Sequence, residues 1–275
     1  MAAEEEKYPI ENLQPIPSIL EHACLDPAQT HKLYNRILQI QIPFIIGMID
    51  GLDYCFGQVI RLCYTKDGSV KLCRGYEDYD VRLQCSQKHR FIFYLIDLIL
   101  PVGRHSEAVL IDTTTKTIEF FEPNGPVARW YPVVNSYLED KFLQILPDYT
   151  YLGTGEFCPY LGPQAVGNVP LCASFSLFFL LLRIYNPDIG PKQIIDLWLQ
   201  LPKEGIILLV ESLVCYASDY AKHYNLYALQ NYYDNLSSLI LVEYPHLVDE
   251  VDRLYYAFDL RGMKALARKY KITIR

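Results

Sequence analysis

The chain of 275 residues contains no apolar run of the roughly 18 to 20 residues that a membrane-spanning helix requires. Its most apolar stretches, Phe91 to Leu100 and Phe175 to Ile184, are short, and Asp97 interrupts the first. A basic excess is also missing. With 25 Lys and Arg against 32 Asp and Glu the net charge is −7, the wrong sign for a protein that grips a phosphate backbone. The opening residues, MAAEEEKYPIEN, are acidic where a secretory signal is basic and then apolar. No internal repeat, no low-complexity tract and no CxxC or CxxH pair occurs. The spacings among Cys55, Cys63, Cys73 and Cys85 widen steadily, whereas zinc ligands come in tight pairs. The eight cysteines are therefore expected to be small buried hydrophobes. What is present is a 51% hydrophobic composition and a mean hydropathy of +0.06, enough for a sizeable core and too apolar for disorder. The expectation is a soluble intracellular protein in a reducing compartment, with neither membrane nor nucleic acid as partner.

Short strands are expected from about Phe44 to Leu83, turning at Lys66-Asp67-Gly68-Ser69, after a helix over Asp26 to Leu38 opened by Asp26-Pro27. Arg90 to Leu100 reads as a central strand, being continuously aromatic and β-branched. Ala108 to Asp112 and Thr117 to Glu122 read as a hairpin joined by Thr113 to Lys116. Helices are expected at about 131 to 145, 172 to 186, 191 to 200, 206 to 223 and 224 to 241. Arg261 to Arg275, with six basic residues and no acid, reads as a surface helix followed by an edge strand. Strands followed by segregated helices make the class α+β, with a mostly antiparallel central sheet flanked by helices. Residues 1–85 are expected to be an N-terminal extension, a candidate substrate-binding surface, and residues 86–275 the main domain.

Three positions carry chemistry by their local pattern. Cys172 follows the loop Gly167-Asn168-Val169-Pro170-Leu171 and opens the apolar run Leu177 to Leu182, which places its thiol in the first turn of a buried helix. There the helix dipole and free N–H groups favour a thiolate. His105 stands at the start of the first hairpin strand. A four-residue turn over Thr113 to Lys116 sets residue 105 opposite residue 124 and residue 107 opposite residue 122. His105, Glu122 and Asn124 then share one face at one end of the hairpin, as a base and the group that orients it would. Gln164, eight positions before Cys172 on a loop, offers a side-chain amide that could donate to an oxyanion.

The ordered set of histidine, acid or amide, glutamine and cysteine resembles the adenain and ubiquitin-like-protein protease superfamily of cysteine peptidases, closest to adenain-like proteins of large DNA viruses. The segments that carry it are Phe121 to Gly125 (FEPNG), Gly162 to Gln164 (GPQ) and Cys172 to Arg183 (C-x-x-x-S-L-x-F-L-x-L-R), and the acid follows the histidine by 17 positions. The resemblance covers about residues 90 to 187. It implies a papain-like cysteine protease superfold of the adenain type, with the nucleophile at the N-terminus of a buried central helix. It also implies Cys172 as nucleophile, His105 as general base and acid, Glu122 (or Asn124) as the group orienting the imidazole, and Gln164 in the oxyanion hole. Cleavage after small residues, glycine above all, would need no metal or organic cofactor. The implied substrate is a viral precursor protein or a ubiquitin-like conjugate, met in the host cytoplasm or the virion. Two positions depart from the common pattern, Ser106 after the histidine and Ala173 after the cysteine. They sustain an alternative, a catalytically degenerate protease fold acting as a protein-binding or structural viral protein.

Overall fold

The computed structural model describes residues 10–21, 49, 51–73, 88–223, 226–247, 250–251, 254 and 260–272. Strands β1 (Tyr54–Tyr64), β2 (Val70–Leu72), β3 (Phe91–Ile99), β4 (Arg104–Asp112), β5 (Thr117–Phe121) and β6 (Thr150–Leu152) form one six-stranded sheet in the order β2-β1-β3-β4-β5-β6. The pairings β1/β2, β3/β4 and β4/β5 are antiparallel, while β1/β3 and β5/β6 are parallel. The sheet is mixed: three of its five pairings are antiparallel, as expected of a mostly antiparallel sheet, and two differ in being parallel. A hairpin cannot make a parallel pair, so the long connections before β3 and β6 account for the difference. The helices are α1 (Ile16–Leu20), α2 (Tyr131–Ile145), α3 (Thr154–Phe157), α4 (Pro163–Gly167), α5 (Cys172–Tyr185), α6 (Pro191–Leu199), α7 (Lys203–His223), α8 (Leu226–Glu243) and α9 (Leu260–Lys269). The class is α+β. The helix expected over Asp26 to Leu38 and the terminal edge strand lie wholly or mainly outside the described residues. Strand β6 and helices α3 and α4 have no counterpart in the sequence reading, being too short to show a period.

Alternation along the strands builds two cores. Phe91, Phe93, Leu95, Ala108, Leu110 and Phe121 face α5 and α6, while Ile92, Tyr94, Ile96, Val109, Ile111 and Phe120 face α2. Helix α5 lies wholly within the first of these, with every residue from Ala173 to Ile184 buried. The run Leu177 to Leu182, apolar all round, suits that position. The Phe179 ring stacks on those of Phe121 and Phe157, and Phe178 meets Trp198 edge to face.

The N-terminal residues are not separate from this core. Ile10, Leu13, Ile16, Ile19 and Ile49 belong to the same apolar cluster as α5, and Asn186 exchanges hydrogen bonds with the backbone of Gln14 at 2.6 and 3.3 Å. Since β1 and β2 also sit in the sheet, the fold crosses the division expected at residues 85 and 86.

The cysteines differ from expectation as well. Cys63 and Cys73 form a disulfide that closes the β1/β2 hairpin, Cys55 and Cys215 are disulfide-bonded, and Cys158 and Cys172 are the free thiols among the described residues. Residues 62 to 64 pair with residues 70 to 72, and this register carries Cys63 and Cys73 to within bonding reach, which spacing along the chain does not reveal. A reducing compartment thus loses the support that the cysteine pattern lent it. Among the described residues no helix is long and apolar enough to cross a membrane.

One buried charge pair ties α5 to the sheet. Arg183 donates through Nε and Nη2 to both carboxylate oxygens of Glu119 on β5, at 2.8 and 2.7 Å, with side-chain exposures of 3% and 1%. Arg183→Met strands a buried carboxylate, so a loss of about 3 to 5 kcal/mol is expected in chemical denaturation. The double variant Arg183→Met/Glu119→Leu should recover most of that loss, because the stranded charge, not the missing bond, is the main cost.

Candidate functional site

The site forms where the β4/β5 hairpin meets the start of α5. The ladder pairs Ala108 with Phe121 and Asp112 with Thr117, the register that the four-residue turn dictates. Carried one step further, Glu107 opposes Glu122 and His105 opposes Asn124. His105 and Glu122 meet on that face. His105 Nε2 lies 2.9 Å from both Oε1 and Oε2 of Glu122, and both side chains are buried. Asn124 contacts the acid instead of taking its place: its backbone N–H and its Nδ2 donate to Glu122 Oε1 at 2.8 and 3.0 Å.

Cys172 is the first residue of α5 and is partly exposed. Its thiol hydrogen-bonds the same imidazole. With Nε2 committed to Glu122, Nδ1 is the nitrogen left for sulfur. The electrostatics of the three groups reinforce one another. Burial alone would raise the Cys172 thiol, but the hydrogen bond and charge of His105, aided by the Ser106 and Ala173 N–H groups, bring it below its ordinary value. Burial alone would lower His105, yet the Glu122 carboxylate and Cys172 hold it well above its ordinary value. Glu122, which burial would raise, is lowered by His105 and by its donors. Both shifts run in the direction of a thiolate–imidazolium pair. The other free thiol is the contrast: burial pushes Cys158 up to about 12.

Side chains that the sequence reading did not single out complete the surroundings. Trp130 lies over the imidazole with ring centroids 4.8 Å apart and donates its indole N–H to Glu122 Oε2 at 2.7 Å. An aromatic residue thus covers the histidine from the start of α2, although its neighbour Ser106 is not aromatic. Thr154 accepts the Glu122 N–H at 2.8 Å and donates to the Phe120 carbonyl at 2.6 Å, fixing the end of β5. Ser176, one turn past Cys172, donates to the carbonyl of Ser106 at 3.0 Å. Cys172, Ser176, Phe179 and Arg183 recur at helical spacing, so the thiol, the tie to β4, the ring stack and the ion pair share one side of α5.

Gln164 lies in α4, which packs beside α5. Its Nε2 donates to the Val169 carbonyl at 3.1 Å in the loop leading to Cys172. The segments holding Glu122 and Gln164 are joined backbone to backbone, with Gly162 N–H donating to Asn124 O at 2.8 Å and Gln164 N–H to Pro123 O at 2.9 Å. Only glycines permit this approach. A Cβ on Gly125, whose φ is +83°, would lie 2.5 Å from Gly162 N, and one on Gly162 would lie 2.3 Å from Pro123 O. This contact supplies a reason for FEPNG and GPQ to occur together.

His105, Glu107 and Glu122 place ligand-type atoms within 4.8 Å of one another, the one such group of metal-binding residue types among the described residues. Both imidazole nitrogens are already used, by Glu122 and by Cys172, so no position on the histidine is open to an ion. The disulfide removes Cys63 and Cys73 from any zinc set.

No family model matches the chain. Among curated proteins, the putative ankyrin repeat protein L371 of Acanthamoeba polyphaga mimivirus is 25% identical over 136 residues, covering 40% of this chain and 17% of that protein. The chain therefore spans less than a fifth of that relative's length.

The glycine contact yields a test. Gly125→Ala should cost about 1 kcal/mol or more in φ strain and also push the two loops apart, slowing alkylation of Cys172 as followed by peptide mapping. Gly103→Ala, at φ +89° with nothing within 4 Å of the added carbon, should carry the strain alone and leave that rate unchanged.

Proposed function

We propose that the chain is a cysteine peptidase of adenain type, hydrolysing peptide or isopeptide bonds after small residues. The observation that carries this reading is the chain of contacts from the partly exposed Cys172 through the buried His105 to the buried Glu122. It sits at a helix N-terminus, and its thiol is lowered while its imidazole is raised. In the proposed reaction the Cys172 thiolate attacks the scissile carbonyl, and the oxyanion receives hydrogen bonds from the Cys172 backbone N–H and the Gln164 amide. His105 gives its proton to the leaving amine, forming the acyl-enzyme. It then takes a proton from the water that releases the product. Glu122 orients the imidazole and balances its charge throughout, which fits its several donors. The protein substrate is a viral precursor or a ubiquitin-like conjugate.

The relative's name suggests protein binding through ankyrin repeats. The described residues give that little support, since they form a mixed sheet with segregated helices and not stacked helix pairs. A degenerate, binding-only version of the protease fold keeps its case from Ala173. Its case from Ser106 is weakened by Trp130, which covers the imidazole from another element.

The test is the alkylation rate of Cys172 against pH. A thiol lowered by His105 keeps its thiolate below the ordinary range near about 8.5, so the rate step should fall at lower pH. His105→Ala removes the largest lowering group and leaves burial opposed only by the Ser106 and Ala173 N–H groups, so the step should move up toward that range or beyond it. At pH 6 the rate should drop about tenfold for each unit regained. Incubation with a Gly-x peptide library and with a ubiquitin-like amide conjugate should give hydrolysis that Cys172→Ala abolishes. A plain thiol profile shared by both proteins, with neither substrate cut, would overturn the reading.

A further inference from the structure

Glu107 is the group the mechanism above does not use. It stands on β4 two residues from His105, opposite Glu122, and is fully buried. Neither of its carboxyl oxygens has a hydrogen-bond partner by geometry. The Trp130 indole is the neighbouring donor that acts on it, but its single proton is committed to Glu122 Oε2. A carboxylate without a donor or a counter-cation of its own is not sustained at zero exposure, least of all beside a second carboxylate. A carboxylic acid is sustained there, because it needs one acceptor for its O–H, and the Glu122 carboxylate lies within 4.8 Å and in side-chain hydrogen-bond contact with it.

We propose that Glu107 is a neutral carboxylic acid whose O–H donates to the Glu122 carboxylate, making it a positioning residue for the His105–Glu122 pair. Glu122 Oε2, which takes the indole proton and a share of the imidazole proton, has the lone pair to accept it. The buried set then holds one thiolate, one imidazolium, one carboxylate and one neutral acid. Glu107 does for Glu122 what a bound water would do, without admitting water. The titratable groups acting on it are Glu122 from the end of β5, His105 from its own strand and Tyr151 from β6, while Cys172 on α5 bears on His105 and Tyr131 on α2 on Glu122. Burial and the Glu122 charge both favour the protonated form of Glu107.

This inference rests on the reading of Cys172 and His105 as an ion pair, but its test needs no substrate. The infrared spectrum of the whole chain at pH 7 should show the C=O stretch of a neutral carboxylic acid, shifting in D2O and absent in Glu107→Gln. The His105 titration would be followed by ring ¹⁵N NMR, assigned through His105→Ala. Glu107→Gln keeps a neutral donor, so the His105 midpoint should stay where it is. Glu107→Met removes the donor at similar volume, frees more of the Glu122 charge for the imidazolium, and should move the midpoint up. A purely structural role would leave it unmoved in a folded Glu107→Met. Absence of the acid band in the parent protein, or a fall of the His105 midpoint in Glu107→Gln, would mean that Glu107 is ionised and would overturn the proposal. An acid band together with an ordinary His105 midpoint in the parent would overturn the positioning role and the ion-pair reading, while leaving Glu107 neutral.

Discussion

Everything at the centre of this molecule answers to one constraint: a carboxylate, Glu122, is held at zero exposure and has to be solvated by protein alone. Each of its neighbours makes sense as part of that solvation. His105 brings the positive charge, Asn124 brings a backbone and a side-chain N–H, and Trp130 brings an indole N–H. Thr154 takes the residue's own backbone N–H, so that no part of it is left unbonded. In a low-dielectric setting these bonds are strong, and a missing one is costly, which makes the arrangement rigid as well as stable. Rigidity here fixes the ring of His105 and so decides which nitrogen faces Cys172.

A second constraint sets the distance between the two halves of the site. The thiol belongs to a helix and the imidazole to a strand, and nothing local relates them. The common side of α5 supplies the relation, through the Ser176 bond to Ser106 O beside the histidine and, two turns further on, the Arg183 fork on Glu119. Between them Phe179 stacks on Phe121, the residue before Glu122. Because every residue from Ala173 to Ile184 is buried, the helix has no freedom to rotate without breaking packing on all sides. The apolar run that first suggests a buried helix is thus also what aims its terminal cysteine.

The loops at the mouth of the site obey steric rules of the same kind. Gly125 and Gly162 allow two backbones to approach to hydrogen-bonding distance, linking the Glu122 loop to the Gln164 loop. The N-terminal residues add weight from the far end, where the Gln14 backbone holds Asn186 just past α5 and Ile16 and Ile19 enter the core. Residues 10–21 and 54–72 are therefore part of the scaffold that supports α5 and the sheet, and not an appendage to it.

Much of this was legible in the chain itself. The β3 strand, the β4/β5 hairpin and the long helices follow from apolar periodicity, and the length of one polar turn determined which residues of the hairpin oppose one another. These are local properties, set by backbone geometry over a few residues. Hence the chain alone groups His105, Glu122 and Asn124 on one face. Local rules did not decide between Glu122 and Asn124 as the partner of the imidazole, and the direct His105 contact together with the donors that Asn124 and Trp130 give the carboxylate favour the acid. Nor could they reveal that Glu107 is buried without a donor, since a glutamate in an alternating strand reads as solvent-facing until the elements covering it are known. The parallel pairings of β1 with β3 and β5 with β6, the Cys63–Cys73 link and the Gly125–Gly162 contact likewise belong to tertiary structure alone. Each depends on residues brought together by the closure of long loops, and the energy that selects them is burial, which no short stretch of sequence contains.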